Sequence, residues 1–174
     1  MDLETCPGCG AQFPPFEGAT HPHMSSSAGC WAAFGAVLAR EYADPVLFAV
    51  HRLSVDAYAV QHPGQASSPQ AAQSVGLHLA RLMLQLERGL APERANAVMV
   101  QLTEYKARFH WLEPPASRGA ITVAQVAPLF DPAEHAAAVR AWARSALDAW
   151  QVHRPTFERW LAFAYVPLGN THLE

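Results

Sequence analysis

Residues 45–63, PVLFAVHRLSVDAYAVQHP, predict a helix that lies between two proline breaks. Asp44-Pro45 interrupts the chain before this stretch, and His62-Pro63-Gly64 ends it, so we expect a helix from about Val46 to Gln61. Its apolar residues recur at helical spacing and predict one buried face, formed by Leu47, Val50, Leu53 (or Ser54), Ala57 and Val60.

The same periodicity predicts further helices on both sides, bounded by Pro and Gly, at about 28–42, 70–88, 92–109, 131–152 and 155–165. Residues 1–26 are rich in Pro and Gly and are expected to be irregular, while the β-branched residues 121–123 are an isolated candidate strand. Trp142, Trp150 and Trp160 recur at helical spacing and are expected in the core. We therefore predict an all-α fold, a bundle of five to six helices, in a single domain spanning 1–174.

The amino-acid composition of the chain argues against some classes of binding partner. Hydrophobic residues make up 51% of the chain and charged residues 16%, which is typical of a globular protein. The net charge is -3 and no basic stripe is present, which argues against nucleic acid as a partner. There is neither a secretory signal nor an apolar run of about 20 residues, so we expect a cytoplasmic protein without membrane contact. The partner is then an unknown small molecule or another protein.

Cys6-Pro7-Gly8-Cys9-Gly10 is the most specific motif in the chain. Two Cys separated by two residues, around a turn-forming Pro-Gly pair, are typical of a zinc knuckle, in which both thiolates bind one tetrahedral ion. A thioredoxin-type redox pair has the same spacing but normally opens a helix within a βαβ unit. The chain has 3 Cys, an odd number that argues against a closed disulfide framework and favours reduced thiols.

A tetrahedral zinc ion needs two more ligands. Cys30, in the first turn of the first predicted helix, is the third candidate because the helix dipole there favours a thiolate. If the first two helices form an antiparallel hairpin, the end of the second lies beside Cys30 and offers His62. His51 is eleven residues earlier, roughly 16 Å along the axis, and is too far away. His21 and His23 remain alternatives to His62 because their loop is expected to be flexible, and another group is a third possibility.

A second group of polar residues lies on the second and third helices. His51 and His78 are expected near the same level, with Glu41 or His110 as further members of a polar pocket or second metal site. The alternative is that these are ordinary core or surface histidines. Two further expectations concern single side chains. Arg52 and Asp56 are one helical turn apart and are expected to form an ion pair. His135, His153 and His172 are expected at solvated or helix-end positions.

Several of these segments together resemble a family of uncharacterised bacterial proteins of unknown function. The resemblance covers roughly the first half of the chain and depends on CPGCGA at 6–11, Cys30, LARE at 38–41, VHRLSV at 50–55, Tyr58 and QHP at 61–63. It implies a helical domain with a CxxC element and groups Cys6, Cys9, Cys30, His51 and His62, but it implies no activity. A looser similarity is to the DinB-like bundles, which are metal-dependent and place three His in the core. This chain lacks their HxxxH pair on a late helix, and they lack the cysteine knuckle.

Two functions follow from these patterns. In the first, Zn²⁺ bound by Cys6, Cys9, Cys30 and His62 is structural, and the protein is a module that binds a ligand or partner. In the second, the protein is a metal-dependent hydrolase or transferase that uses a His51/His78 pocket in a DinB-like bundle.

Overall fold

The computed structural model describes residues 2–164, and 63% of them are helical. The elements are β1 (Glu4–Thr5), β2 (Gln12–Phe13), α1 (Ala28–Ala43), α2 (Pro45–Phe48), α3 (His51–Gln61), α4 (Pro69–Leu86), α5 (Pro92–Leu102), α6 (Val123–Val126), α7 (Pro132–Ala149) and α8 (Arg154–Ala164). The predicted all-α fold is confirmed. Within the described part of the chain, no helix combines the length and apolarity needed to cross a membrane.

The predicted helices are all present, but two of them are divided. The helix predicted at 46–61 is broken at Ala49 and Val50 into α2 and α3, and Leu47 and Val50 are buried on the two sides of the break. The helix predicted at 92–109 is α-helical only to Leu102 and continues as a 3-10 helix over Thr103–Arg108. The described residues thus contain eight α-helices, of which α2 and α6 are single turns.

The N-terminal segment is more regular than its composition predicts. β1 and β2 pair antiparallel, with Glu4 opposite Phe13 and Thr5 opposite Gln12. Between them the Cys6 N–H donates to Ala11 O at 2.8 Å, and the Gly10 N–H donates to Cys6 O at 2.9 Å. Gly10 has a φ of 76°, a conformation that glycine adopts without strain. The cysteine motif therefore forms the loop of a short hairpin.

Residues 121–123, the candidate strand, belong instead to the start of α6. The Thr122 side chain accepts from the Ala124 N–H at 3.3 Å, and the Thr122 N–H donates to Gln125 Oε1 at 2.9 Å. Thr-x-x-Gln is the sequence signature of such a capping box, so the start of α6 was visible in the sequence.

The centre of the core is α3, which contacts α1, α4 and α7. All of its residues except Arg52 and Val55 are buried, although its sequence predicts only one apolar face. Trp142, Trp150 and Trp160 are also buried, which confirms their assignment to the core. The indole N–H of Trp150 donates to Val60 O at 3.2 Å, so the C-terminal half of the bundle is hydrogen-bonded directly to α3.

A buried carboxylate on α3 is paired differently from the prediction. Asp56 accepts from Arg81 Nε and NH2 on α4, at 2.9–3.0 Å and 2.7 Å, rather than from Arg52. Arg52 instead donates to Asn96 Oδ1 on α5 at 3.2 Å. The predicted pair is wrong because Asp56 faces α4, whereas Arg52 lies at the partly exposed edge of α3.

His135 is also placed differently from the prediction. It is 0% exposed rather than solvated, and its Nε2 lies 2.9 Å from Glu41 Oε1. Arg40 NH2 lies 3.2 Å from its Nδ1. Because arginine only donates, Nδ1 accepts and the imidazole is neutral with its proton on Nε2. His153 is partly exposed near a helix end, as predicted, and donates to Glu113 O. His172 lies outside the described residues.

The Asp56–Arg81 pair yields a prediction about stability. Asp56→Ala leaves the buried Arg81 guanidinium without its counter-charge, and loss of one partner of such a pair costs about 3–5 kcal/mol. We expect urea unfolding to show a loss of that size. Asp148→Ala removes an exposed carboxylate on α7 and should change the free energy of unfolding by less than about 0.5 kcal/mol. Equal effects of the two substitutions would contradict the importance of the buried pair.

Candidate metal centre

Three separate parts of the fold bring the predicted ligands together. Cys6 and Cys9 lie in the hairpin loop, Cys30 lies in the first turn of α1, and His62 directly follows the last residue of α3. Their ligand atoms all lie within 4.8 Å of one another. Cys6, Cys30 and His62 are at most 1% exposed, and Cys9 is partly buried, so the cluster is almost closed to solvent.

The spacing within the cluster suits a tetrahedral ion. Zn–S bonds of about 2.3 Å and a Zn–N bond of about 2.0 Å place two sulfurs about 3.8 Å apart, and sulfur and nitrogen about 3.5 Å apart. The distance from Cys9 Sγ to Cys30 Sγ is 3.8 Å, and from Cys30 Sγ to His62 Nε2 it is 3.4 Å. The four residues are therefore compatible with a bound metal. That they are its ligands stays a prediction.

The other histidines considered as ligands lie outside this cluster. His51 binds Glu41 through its Nδ1, at the opposite end of α3. His21 packs its ring 5.4 Å from that of Trp31, and its Nδ1 accepts from the His23 N–H at 3.2 Å. The start of α1, which carries Cys30, lies against the end of α3, which precedes His62. This is the register that the predicted antiparallel hairpin requires.

The His62 imidazole is held in an orientation suited to metal binding. Its Nδ1 lies 2.7 Å from Tyr58 O, and a carbonyl oxygen only accepts, so Nδ1 carries the proton. Nε2 is then left with a lone pair directed at Cys30. The Tyr58 ring lies between His62 and Phe34, with both ring centroids 3.8 Å away, and its hydroxyl lies 3.6 Å from Cys30 Sγ. A hydrogen bond to the distal nitrogen of a histidine ligand is typical of metal sites.

The three thiols of the cluster differ in pKa because of their mutual hydrogen bonds and burial. Hydrogen bonds from Cys30 and Cys9 lower the pKa of Cys6, and the Cys9 backbone N–H lowers it further. The bond to Cys6 raises the pKa of Cys30, and burial adds to this. For Cys9, the bond from Cys30 lowers the pKa, but the bond to Cys6 and burial together raise it to about 11. A divalent cation bound by the three sulfurs would replace the thiol protons.

Two polar residues near the cluster were not predicted. Arg118 donates through NH1 to the backbone oxygens of Pro7 and Gly8, which places a positive charge beside the cysteine loop. Burial lowers the pKa of Arg118, while the negative charges of Cys6 and Cys9 oppose this effect. Three thiolates and one Zn²⁺ carry a net charge of about −1, so a nearby guanidinium is favourable. The sequence contains no signal for this contact, because 110 residues separate Arg118 from Gly8.

Gln61 fixes the segment that carries Arg118. Its Nε2 donates to Arg118 O at 2.9 Å and to Ile121 O at 2.8 Å, and its Oε1 accepts from Trp142 Nε1 at 2.7 Å. In the QHP stretch, Gln61 thus anchors a loop, His62 is a candidate metal ligand, and Pro63 ends the helix. Its position at the end of a buried helix was the only sequence signal for the role of Gln61.

The second predicted histidine group is only partly assembled. His51 and His78 line one cavity of about 390 Å³, and Glu41 lies behind His51. His110 is elsewhere, with its ring edge-on to Trp160. In the described part of the chain, the knuckle cluster is the one group of three or more Cys, His, Asp or Glu whose ligand atoms converge.

Comparison with known proteins gives one match. The family described as "Family of unknown function (DUF5946)" matches residues 4–151, which include the knuckle cluster and the whole of α3. No curated protein and no solved structure matches the chain.

Gly8 provides a test of the packing around His62. A Cβ at Gly8 would overlap the His62 ring and the Ser25 carbonyl oxygen, so Gly8→Ala should displace the imidazole. We expect metal affinity to fall by about 10–100-fold, as when the support of a ligand is disturbed. Competition with a chromogenic zinc chelator measures the change.

The matched control is Gly35→Ala, since a Cβ at Gly35 on the exposed face of α1 meets nothing within 4 Å. It should leave metal affinity unchanged and stabilise the helix slightly. An unaltered affinity in Gly8→Ala would show that the His62 ring does not bind the metal.

Proposed function

The chain belongs to this family of unknown function, so we propose from its own geometry that it is a zinc-stabilised, ligand-binding helical module whose zinc is structural. The observation that carries the proposal is the convergence of Cys6, Cys9, Cys30 and His62 within 4.8 Å. Four protein ligands fill a tetrahedral coordination sphere and leave no position for water or substrate. Such a closed site contributes to folding rather than to chemistry.

The donor set favours zinc over other divalent ions. Three thiolates and one imidazole are soft or borderline ligands, whereas magnesium and calcium prefer oxygen. Copper(I) and iron also bind thiolates, but a Cys3His set in a hairpin loop is a common structural zinc site. The burial of Cys6, Cys30 and His62 supports a metal that is held permanently rather than exchanged.

The position of the site explains what a structural zinc would stabilise. The hairpin of β1 and β2 has two residues in each strand, too few to be stable alone. One ion bound by the hairpin, α1 and the end of α3 would join the N-terminal segment to the two helices. The free energy of zinc binding would then be part of the free energy of folding.

A second candidate function has its own supporting observation. A hydrolase or transferase at the second site needs either a metal with an open position or a histidine matched to a carboxylate. His51 and His78 each bind a buried carboxylate, Glu41 and Asp56 respectively, and both line the same cavity. Metal content distinguishes the candidates: one zinc per chain supports the structural site alone, and a second, exchangeable ion supports the metal-dependent enzyme.

Zinc stoichiometry tests the proposal directly. We expect elemental analysis of the purified protein to give one zinc per chain. Cys6→Ser combined with Cys9→Ser should lower the zinc content and the melting temperature together, because binding and folding are linked. Unchanged zinc content in the double variant would refute the proposed ligand set.

The two histidines on α3 give a matched pair of variants. His62→Ala should weaken zinc binding by more than tenfold and make the N-terminal hairpin sensitive to limited proteolysis. His51→Ala should leave zinc in place, since His51 is bonded to Glu41 at the other end of α3. Zinc lost from His51→Ala and retained by His62→Ala would reverse the assignment.

A further inference from the structure

The cavity that contains His51 and His78 has a mixed lining of positively charged, hydrogen-bonding and apolar side chains, the last from Val55, Met99 and Val100. It has a volume of about 390 Å³, which is within the range of small-molecule sites, and lies between the end of α1 and helices α3, α4 and α5. Arg52 and Arg81 contribute to its wall beside the two histidines. No Asp or Glu is among the described residues that line it.

Each histidine is held from behind by a buried carboxylate. His51 Nδ1 donates to Glu41 Oε2 at 3.0 Å, and His78 Nδ1 donates to Asp56 Oδ1 at 2.6 Å. In both rings Nε2 has no partner among the described residues, and neither Nε2 is sealed from solvent. Two imidazoles are thus fixed in orientation, and each can donate from Nε2 to an anion only as an imidazolium, because its Nδ1 proton is already donated to a carboxylate.

The carboxylates themselves are not available to a ligand. Glu41 is 0% exposed, and its Oε1 also accepts from Ser54 at 2.5 Å and from His135 at 2.9 Å. Asp56 is 0% exposed, and both of its oxygens accept from Arg81. The carboxylate oxygens are therefore occupied by protein groups: those of Asp56 by Arg81 and His78, and those of Glu41 by Ser54 and two histidines.

Arg52 gives the cavity an uncompensated positive charge. Its NH1 donates to Asn96 Oδ1 at 3.2 Å, and no carboxylate among the described residues forms an ion pair with it. Arg81 NH1 donates to the same Asn96 oxygen at 2.8 Å. Asn96 thus holds the two guanidinium groups side by side. A bound anion would stabilise these two neighbouring positive charges, whereas a neutral ligand would not.

An aromatic side chain lies at the mouth of the cavity. Tyr42, at the end of α1, is 67% exposed, and its ring centroid is 4.3 Å from that of His51. Phe48 stacks on the same imidazole at 5.2 Å and is 45% exposed. An exposed aromatic ring beside a charged cavity provides a surface for the organic part of a ligand.

We propose that this cavity binds a small organic phosphate monoester, with the phosphate group at Arg52 and at Nε2 of His51 and His78, and the organic group against Tyr42. A phosphate dianion accepts several hydrogen bonds at once, and in the complex both rings would be imidazolium cations, each donating from Nδ1 to its carboxylate and from Nε2 to a phosphate oxygen. The inference names the ligand class of the proposed ligand-binding module and rests on that function. It does not require any chemistry at the zinc site.

Calorimetric titration of the full-length, zinc-loaded protein with phenyl phosphate tests the proposal. We expect a Kd below about 1 mM for the unmodified chain. Arg52→Gln should weaken binding by about 10-fold or more, the effect of losing one charge-assisted contact, and Arg52→Lys should weaken it less because the charge remains. The control, Arg140→Gln, removes an exposed arginine on α7 and should leave the affinity unchanged.

Two further titrations distinguish the phosphate group from the organic group. His78→Gln should weaken the binding of inorganic phosphate and phenyl phosphate equally, whereas Tyr42→Ala should weaken phenyl phosphate alone. If inorganic phosphate binds as tightly as phenyl phosphate and Tyr42→Ala changes neither, the organic part of the proposal is wrong.

The zinc content measured on the same samples separates the two proposals. Absence of phenyl phosphate binding in a protein that holds one zinc per chain would overturn the phosphate site and leave the structural zinc intact. Equal weakening by Arg52→Gln and Arg140→Gln would also overturn it, because it would indicate a general charge effect. Circular dichroism spectra that match between variants establish that each substituted chain is folded.

Discussion

The buried side chain of Gln61 is the contact on which the arrangement of the fold depends. It is 0% exposed, its amide nitrogen donates to two backbone oxygens of the segment before α6, and its amide oxygen accepts from Trp142. An unpaired amide in this environment would cost several kcal/mol, roughly 1–3 per lost partner. Loss of any one contact would leave a buried polar atom of the amide unpaired. Together the contacts set the position of α3 relative to α7 and to the segment that carries Arg118.

The position of His62 follows from that constraint. Because Gln61 is fixed, the next residue lies at a defined point at the end of α3, and Pro63 and Gly64 turn the chain away. The Tyr58 carbonyl oxygen and ring then determine the orientation of the imidazole. The candidate metal centre is thus supported by contacts that extend about one helical turn back into α3 and across to α7.

The opposite end of α3 shows a related use of buried charge. Glu41 and Asp56 are fully buried, and each orients one histidine of the cavity while other groups occupy the remaining carboxylate oxygens. Buried carboxylates are costly unless they are hydrogen-bonded or paired. Asp56 is paired with the Arg81 guanidinium, and Glu41 accepts from Ser54 and contacts two histidines. The same helix therefore supports the proposed zinc site at one end and the proposed phosphate site at the other.

The sequence by itself determined the helices and the spacing of the cysteines, because both depend on local periodicity. Helical repeats, Pro and Gly boundaries and the CPGCG turn involve neighbours within a few residues, and one antiparallel register was enough to place His62 near Cys30. Tertiary structure alone decided the break at Ala49, the burial of His135, the pairing of Asp56 with Arg81, and the contact between Arg118 and the hairpin. These depend on which distant side chain can reach a buried charge or backbone oxygen, and packing between segments, not helical periodicity, selects that partner.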